Sequence, residues 1–105
     1  MIGDFEETLL MAVLKNGKDA YRTVIYRTLE DCGRKASIGS IYAVLNRLEK
    51  KVWLTSREGQ PTAIRGGRRK KFYEIAEPGM RALKEIRTQR AAIEGAFDWG
   101  KVGLV

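Results

Sequence analysis

Residues 37–51 read SIGSIYAVLNRLEKK. Ile38, Ile41, Leu45 and Leu48 recur at 3-4-3 spacing, which predicts one inward apolar stripe on an amphipathic helix. Ser37 precedes the stripe and is a good N-cap. Ser40, Tyr42, Ala43, Asn46, Arg47 and Lys50 are left pointing elsewhere. Taken alone, this pattern fits either an ordinary amphipathic helix with a solvated polar face or a helix that reads DNA. A reading helix needs small polar groups at its start and hydrogen-bonding groups further on. Ser37 and Ser40 supply the first. Asn46 and Arg47 can reach base edges or phosphates.

Two helices are expected before this one. The first spans about Phe5 to Lys15, with Asp4 as cap and Glu7 at capping-box spacing. Phe5, Leu9 and Val13, with Leu10 and Leu14 beside them, form its apolar stripe. Gly17 suits a left-handed end. The second spans about Ala20 to Cys32, with Asp19 as cap and Tyr21, Val24, Ile25 and Leu29 facing inward. Gly33 stops it.

After residue 51 the period changes. Residues 53–58 (WLTSRE) and 71–75 (KFYEI) are short strand patterns around a loop containing Gly59, Pro61, Gly66 and Gly67. A last helix is expected from near Glu77, with Pro78 in its first turn and a length of about 20 residues, some 30 Å. Leu83, Ile86, Ile93 and Phe97 keep a heptad-like spacing along it, which predicts a dimerisation face. Residues 100–105 read as a short frayed tail. The order helix, helix, helix, hairpin, helix is mainly α with a small β-hairpin. It predicts a winged helix-turn-helix over residues 1–76 and a long C-terminal dimerisation helix with its tail over residues 77–105.

The hairpin carries the clearest functional mark. Arg65, Arg68, Arg69, Lys70 and Lys71 put five cations in seven residues with no acid among them. The whole chain of 105 residues has a net charge of +7, so this segment holds most of the excess. Gly66 and Gly67 let the backbone bend there. A mobile cationic tip suits phosphate contact, because neutralising phosphates releases condensed counterions. It is not a phosphate loop of the Walker type, since no Gly-Lys-Ser/Thr follows.

Apolar residues are 44% and charged residues 31% of the chain, enough for a packed core. With a single cysteine, Cys32, no internal disulfide can form, which fits a cytoplasmic protein. Cys32 is expected as a small buried residue near a helix end. No histidine is present, so Cys–His chemistry and Cys–His zinc sites are excluded. No nucleophile–base pair, metal cluster or cofactor loop is visible, so no enzyme, cofactor or metal is expected. Glu6, Glu7, Glu30 and Asp31 read as helix-surface charges. The apolar run Leu9–Leu14 is too short to span a membrane.

The segments EETLLMAVL (6–14), AYRTVIYRTLED (20–31), SIGSIYAVLNRLEKK (37–51) and GGRRKKFYEIAEPGMRAL (66–83) resemble the PadR family of bacterial transcriptional regulators, in its compact subgroup with one C-terminal helix. The resemblance implies a dimeric repressor on a palindromic operator in double-stranded DNA. It assigns Ser37, Gly39, Ser40, Tyr42 and Arg47 to the groove side and Arg68 and Lys70 to the wing. It also implies that the last helix pairs with the first helix of a second chain. Some compact members bind flat aromatic compounds, so Trp99 and Phe97 are candidates for a small aromatic effector or for dimer packing. Tyr42 is placed on DNA or against the wing, and Trp53 in the core. Similar proteins carry Gly at the position of Val52 and Thr at that of Ala76, so the turn after the third helix and the start of the last helix are expected to differ. The competing reading is a winged-helix protein-interaction module that no longer binds DNA.

Overall fold

The computed structural model describes residues 2–59 and 70–103, without the side chains of Trp99 and Val102. Helix α1 spans Asp4–Asn16. A 3-10 turn, Gly17–Asp19, leads to α2, Arg22–Asp31, and then to α3, Ile38–Lys50. Strands β1, Leu54–Glu58, and β2, Lys71–Ile75, pair antiparallel with Leu54 opposite Ile75. Helix α4 spans Glu77–Glu94, and a four-residue α5, Trp99–Val102, follows.

One core serves all the main elements. Leu9, Leu10 and Val13 of α1 meet Ile25 and Leu29 of α2 and Ile41, Leu45 and Leu48 of α3. Leu54, Tyr73 and Leu83 close it from the strands and α4. The chain is elongated, with extents of 57 × 28 × 21 Å. Its radius of gyration of 16.2 Å exceeds the ~13 Å of a compact chain of this length. Residues 87–94, the second half of α4, are exposed.

Several local expectations are corrected. Helix α1 is capped by Gly3, one residue before Asp4, and Glu6 rather than Glu7 reaches back to accept from the Gly3 N–H at 3.0 Å. Gly17 has φ 56 and ψ −128, a positive φ outside the left-handed helical well. Helix α2 starts at Arg22, because Ala20 and Tyr21 pair with the hairpin. The Tyr73 N–H donates to the Ala20 carbonyl at 2.8 Å, and Tyr21 bridges Phe72 with their rings edge-on at 5.4 Å. Asp19 therefore lies in the 3-10 turn and not at the N-cap of α2, which is Tyr21. Ile38, placed on the inward stripe, is 49% exposed, and Val44 takes its place in the core. Leu14 is exposed, and so is Cys32, which forms the C-cap of α2. Trp53 lies half-buried before β1, and a helical turn stands where a frayed tail was expected.

Glu6 and Glu7 are not surface charges: they are 8% and 2% exposed. Glu7 forms an ion pair with Arg90 of α4 at 2.8 Å, with Arg87 at 3.8 Å from its other oxygen. Two cations on α4 thus tie that helix to the start of α1. Buried carboxylates are tolerated only with such partners.

The turn out of α3 keeps the shape that glycine would give it. Val52 has φ 60. Its N–H donates to the Glu49 carbonyl at 3.0 Å, and that of Trp53 to Leu48 at 2.9 Å. This pair of bonds is a Schellman end, held by a β-branched residue in the left-handed region. Helix α4 starts at Glu77 even without a side-chain cap on Ala76, whose own N–H donates to the Trp53 carbonyl at 2.9 Å.

Candidate nucleic-acid interface

Helix α3 has two flanks and a crest. With 3.6 residues per turn, burying Ile41, Val44, Leu45 and Leu48 turns Gly39, Ala43, Asn46 and Lys50 outward, and all four are exposed. Ala43 and Lys50, expected from the sequence to point away from the apolar stripe, thus share the outward face with Asn46. At the start of α3 the Ser37 hydroxyl accepts from the Ser40 N–H at 3.0 Å and donates to the Ser40 hydroxyl at 2.8 Å. Ser37 is thus committed to capping, which fixes the first turn. A Cβ on Gly39 would meet nothing within 4 Å, so neither packing nor backbone shape demands glycine there in the free protein.

One flank faces α2 and the strands. The Arg22 guanidinium lies 4.4 Å from the Tyr42 ring centre, donates to the Asn46 side-chain oxygen at 3.5 Å, and donates through Nε to the Tyr73 hydroxyl at 3.2 Å. It holds Tyr42 and Asn46 in one row. Sequence reasoning misses Arg22. Its one signal is a cation in the first turn of a helix, where the macrodipole disfavours positive charge. On the same flank Glu49 accepts from Lys71 at 2.7 Å and from the Ser56 hydroxyl. The Lys71 and Ser56 bonds hold the Glu49 carboxyl below its ordinary value, outweighing burial.

The other flank faces α1. Glu6 pairs with Lys51 at 2.8 Å and with Arg47 at 3.8 Å. Burial pushes the Glu6 carboxyl up. The Lys51 bond, the Gly3 N–H and the charges of Lys51 and Arg47 outweigh it and leave the carboxyl below its ordinary value. Arg47 therefore sits beside α1, on the opposite flank from Tyr42 and Asn46.

The expected wing cations divide. Lys71 belongs to β2 and is paired to Glu49. Lys70 is exposed, its ammonium 4.3 Å from the centre of the Tyr21 ring. Arg65, Arg68 and Arg69, with Gly66 and Gly67, lie outside the described residues. On α4, Leu83 is buried in the chain's own core and Ile86 packs partly against it. Ile93, at 65% exposure, and Phe97 stand out from the surface. The Trp99 side chain lies outside the described residues.

Among the described residues no group of three His, Cys, Asp or Glu side chains could hold a metal. No helix among them is long and apolar enough to cross a membrane.

Comparison with solved structures places this arrangement among known folds. A PadR family transcription regulator from Clostridium difficile superposes with a TM-score of 0.74 at 22% identity, over 90% of this chain and 94% of that one. A PadR family transcriptional regulator from Eggerthella lenta gives 0.65 at 27% identity, over 90% and 80%. A PadR-like transcriptional regulator from Bacillus cereus gives 0.67 at 22%, over 88% and 85%. A comparison with curated protein sequences finds no match. The family model described as Transcriptional regulator PadR-like family matches residues 10–85, from the middle of α1 through the strands into α4, and the chain therefore belongs to that family of DNA-binding transcriptional regulators.

Proposed function

We propose that the chain represses transcription as a homodimer on a palindromic operator. Helix α3 would enter the major groove, and the wing residues Arg65, Arg68, Arg69 and Lys70 would hold the flanking phosphates. The observation that carries the reading is the row Tyr42–Asn46, oriented by Arg22 beside an outward face that includes Lys50. Residues held in place before binding lose less entropy on contact. Ser37 would act by shaping the first turn, Ser40 and Gly39 by letting the backbone approach, and Arg47 by backbone contact from the α1 flank. Residues 1–76 would form the DNA-binding unit and residues 77–105 the dimerisation unit, with Ile93 and Phe97 on the dimer face. A flat aromatic effector near Phe97 and Trp99 would relieve repression; the family resemblance is its support.

A band-shift titration against the chain's own upstream region tests the reading. Preference for that duplex over random duplex at moderate salt is the expected result, and equal binding would sink it. Replacing Arg65, Arg68, Arg69 and Lys70 by alanine should lower the log–log salt slope by about 0.9 for each phosphate that is no longer neutralised. Light scattering at micromolar concentration should report a dimer; a monomer would remove the twofold match to a palindrome.

A further inference from the structure

Ile38 is the first residue of α3, and it is 49% exposed. It lies four residues before Tyr42, which lies four before Asn46, so the three form one row along the helix. The row starts apolar, continues aromatic and ends in an amide. Arg22 sets the position of the second and third members. Next to the first, Gly39 leaves open space where a side chain would stand. An exposed apolar residue needs no explanation by itself. Here it extends a row whose other members are held ready for contact, at the end of the helix that a helix-turn-helix points at the bases.

We infer that Ile38 is a specificity-determining residue that packs against the C5-methyl group of a thymine. On the base edges exposed in the major groove, that methyl is the one apolar group. A branched aliphatic side chain at the helix start matches it, whereas cytosine and the purines offer only donors and acceptors there. The inference rests on the reading that α3 enters the groove.

The test uses the full chain and a duplex selected by it from a randomised pool. Each thymine of the selected half-site is replaced in turn by deoxyuridine, which lacks only the methyl. The expected result is a loss of about three- to tenfold in affinity at one position per half-site, the worth of one buried methyl group. Ile38→Ala should bind the thymine duplex more weakly and treat thymine and uridine alike. Ile38→Leu, which keeps an aliphatic group of the same size, should retain the discrimination and guards against a folding defect in the alanine variant. Uridine tolerated at every position by the native chain overturns the inference. So does equal discrimination by Ile38→Ala. If no sequence is enriched from the pool, the groove reading itself fails, and the inference falls with it.

Discussion

At its start, α3 is capped by the Ser37 hydroxyl, and the next three residues are exposed. At its exit, α1, β1 and α4 all converge within three residues. Lys51 pairs with Glu6 of α1, and its ammonium lies 4.0 Å from the Trp53 ring centre. Val52 makes the left-handed turn. The Trp53 carbonyl accepts from Ala76 and lies so near Gly79 of α4 that a Cβ there would fall 2.4 Å away. The same helix is anchored at one end and left bare at the other. A helix that presents side chains to a ligand needs both, since a site held on a rigid element positions its groups better than a free one.

The largest effect is expected at the exit of α3. Gly79→Ala adds a methyl against the backbone of Trp53, which has no flexible end to give way. It should destabilise the fold by about 1–3 kcal/mol, the usual cost of overpacking, and lower the melting temperature by roughly 4–8 °C per kcal/mol. Unchanged stability in urea would mean that α4 does not press on the α3 exit.

Next in size is Glu6→Gln. The amide can still accept from Gly3 but no longer neutralises Lys51 and Arg47. A loss of about 1–2 kcal/mol at neutral pH is expected, because a charged hydrogen bond within a nearly buried site is removed. The pH dependence follows in sign. The carboxyls of Glu6 and Glu49 both lie below the ordinary value of 4.5. They contribute stability above that value and lose it as the pH falls through their folded pKa values. Urea midpoints measured from neutral pH down to acid should fall with pH, and Glu6→Gln should flatten that fall. An identical acid limb in the variant would show that Glu6 is not paired in solution.

What the sequence disclosed follows the same division. Strand β2 and the inward stripe of α3 were legible because local period decides them. The start of α2 was not, since Ala20 and Tyr21 are taken by pairing with Tyr73 and Phe72, about fifty residues away in the chain. Ile38 fits the helical spacing but sits at the first turn, beyond the reach of the core, where spacing alone does not bury a side chain. Glu6 and Glu7 look like surface acids until the cations of α3 and α4 are folded over them. Gly79 carries no local sign at all, because its reason is a contact between two backbones. Along α3 the polar row was readable, while Arg22 was hidden on another helix and the pairing of Arg47 with Glu6, on the flank opposite Tyr42 and Asn46, had no local sign. Pattern names the face, and tertiary packing decides which residues on it are already occupied.

The turn after α3 gives a smaller effect of opposite sign. Val52 at φ 60 is strained, because a left-handed backbone costs a non-glycine residue about 1–2 kcal/mol. Glycine removes the strain but adds freedom to the unfolded chain. Val52→Gly should therefore stabilise by about 0.5–1 kcal/mol, seen as a rise in the urea midpoint at constant slope. A fall would mean that the Val52 side chain has packing not visible in its exposure.

The smallest effect sharpens the contrast most. Gly39→Ala is the same chemical change as Gly79→Ala, made at the open end of α3. Nothing lies within 4 Å of the added Cβ, and alanine favours helix over glycine. Near a helix start that preference is partly lost, so a gain of about 0.3–0.5 kcal/mol is expected. The sign is thus the reverse of that at Gly79. If Gly39 is there to let the helix approach DNA, the same variant should bind the selected duplex more weakly while melting slightly higher. Stability and binding moving in opposite directions would place the reason for this glycine outside the folded chain. Both rising together would show that the start of α3 does not come close to its ligand.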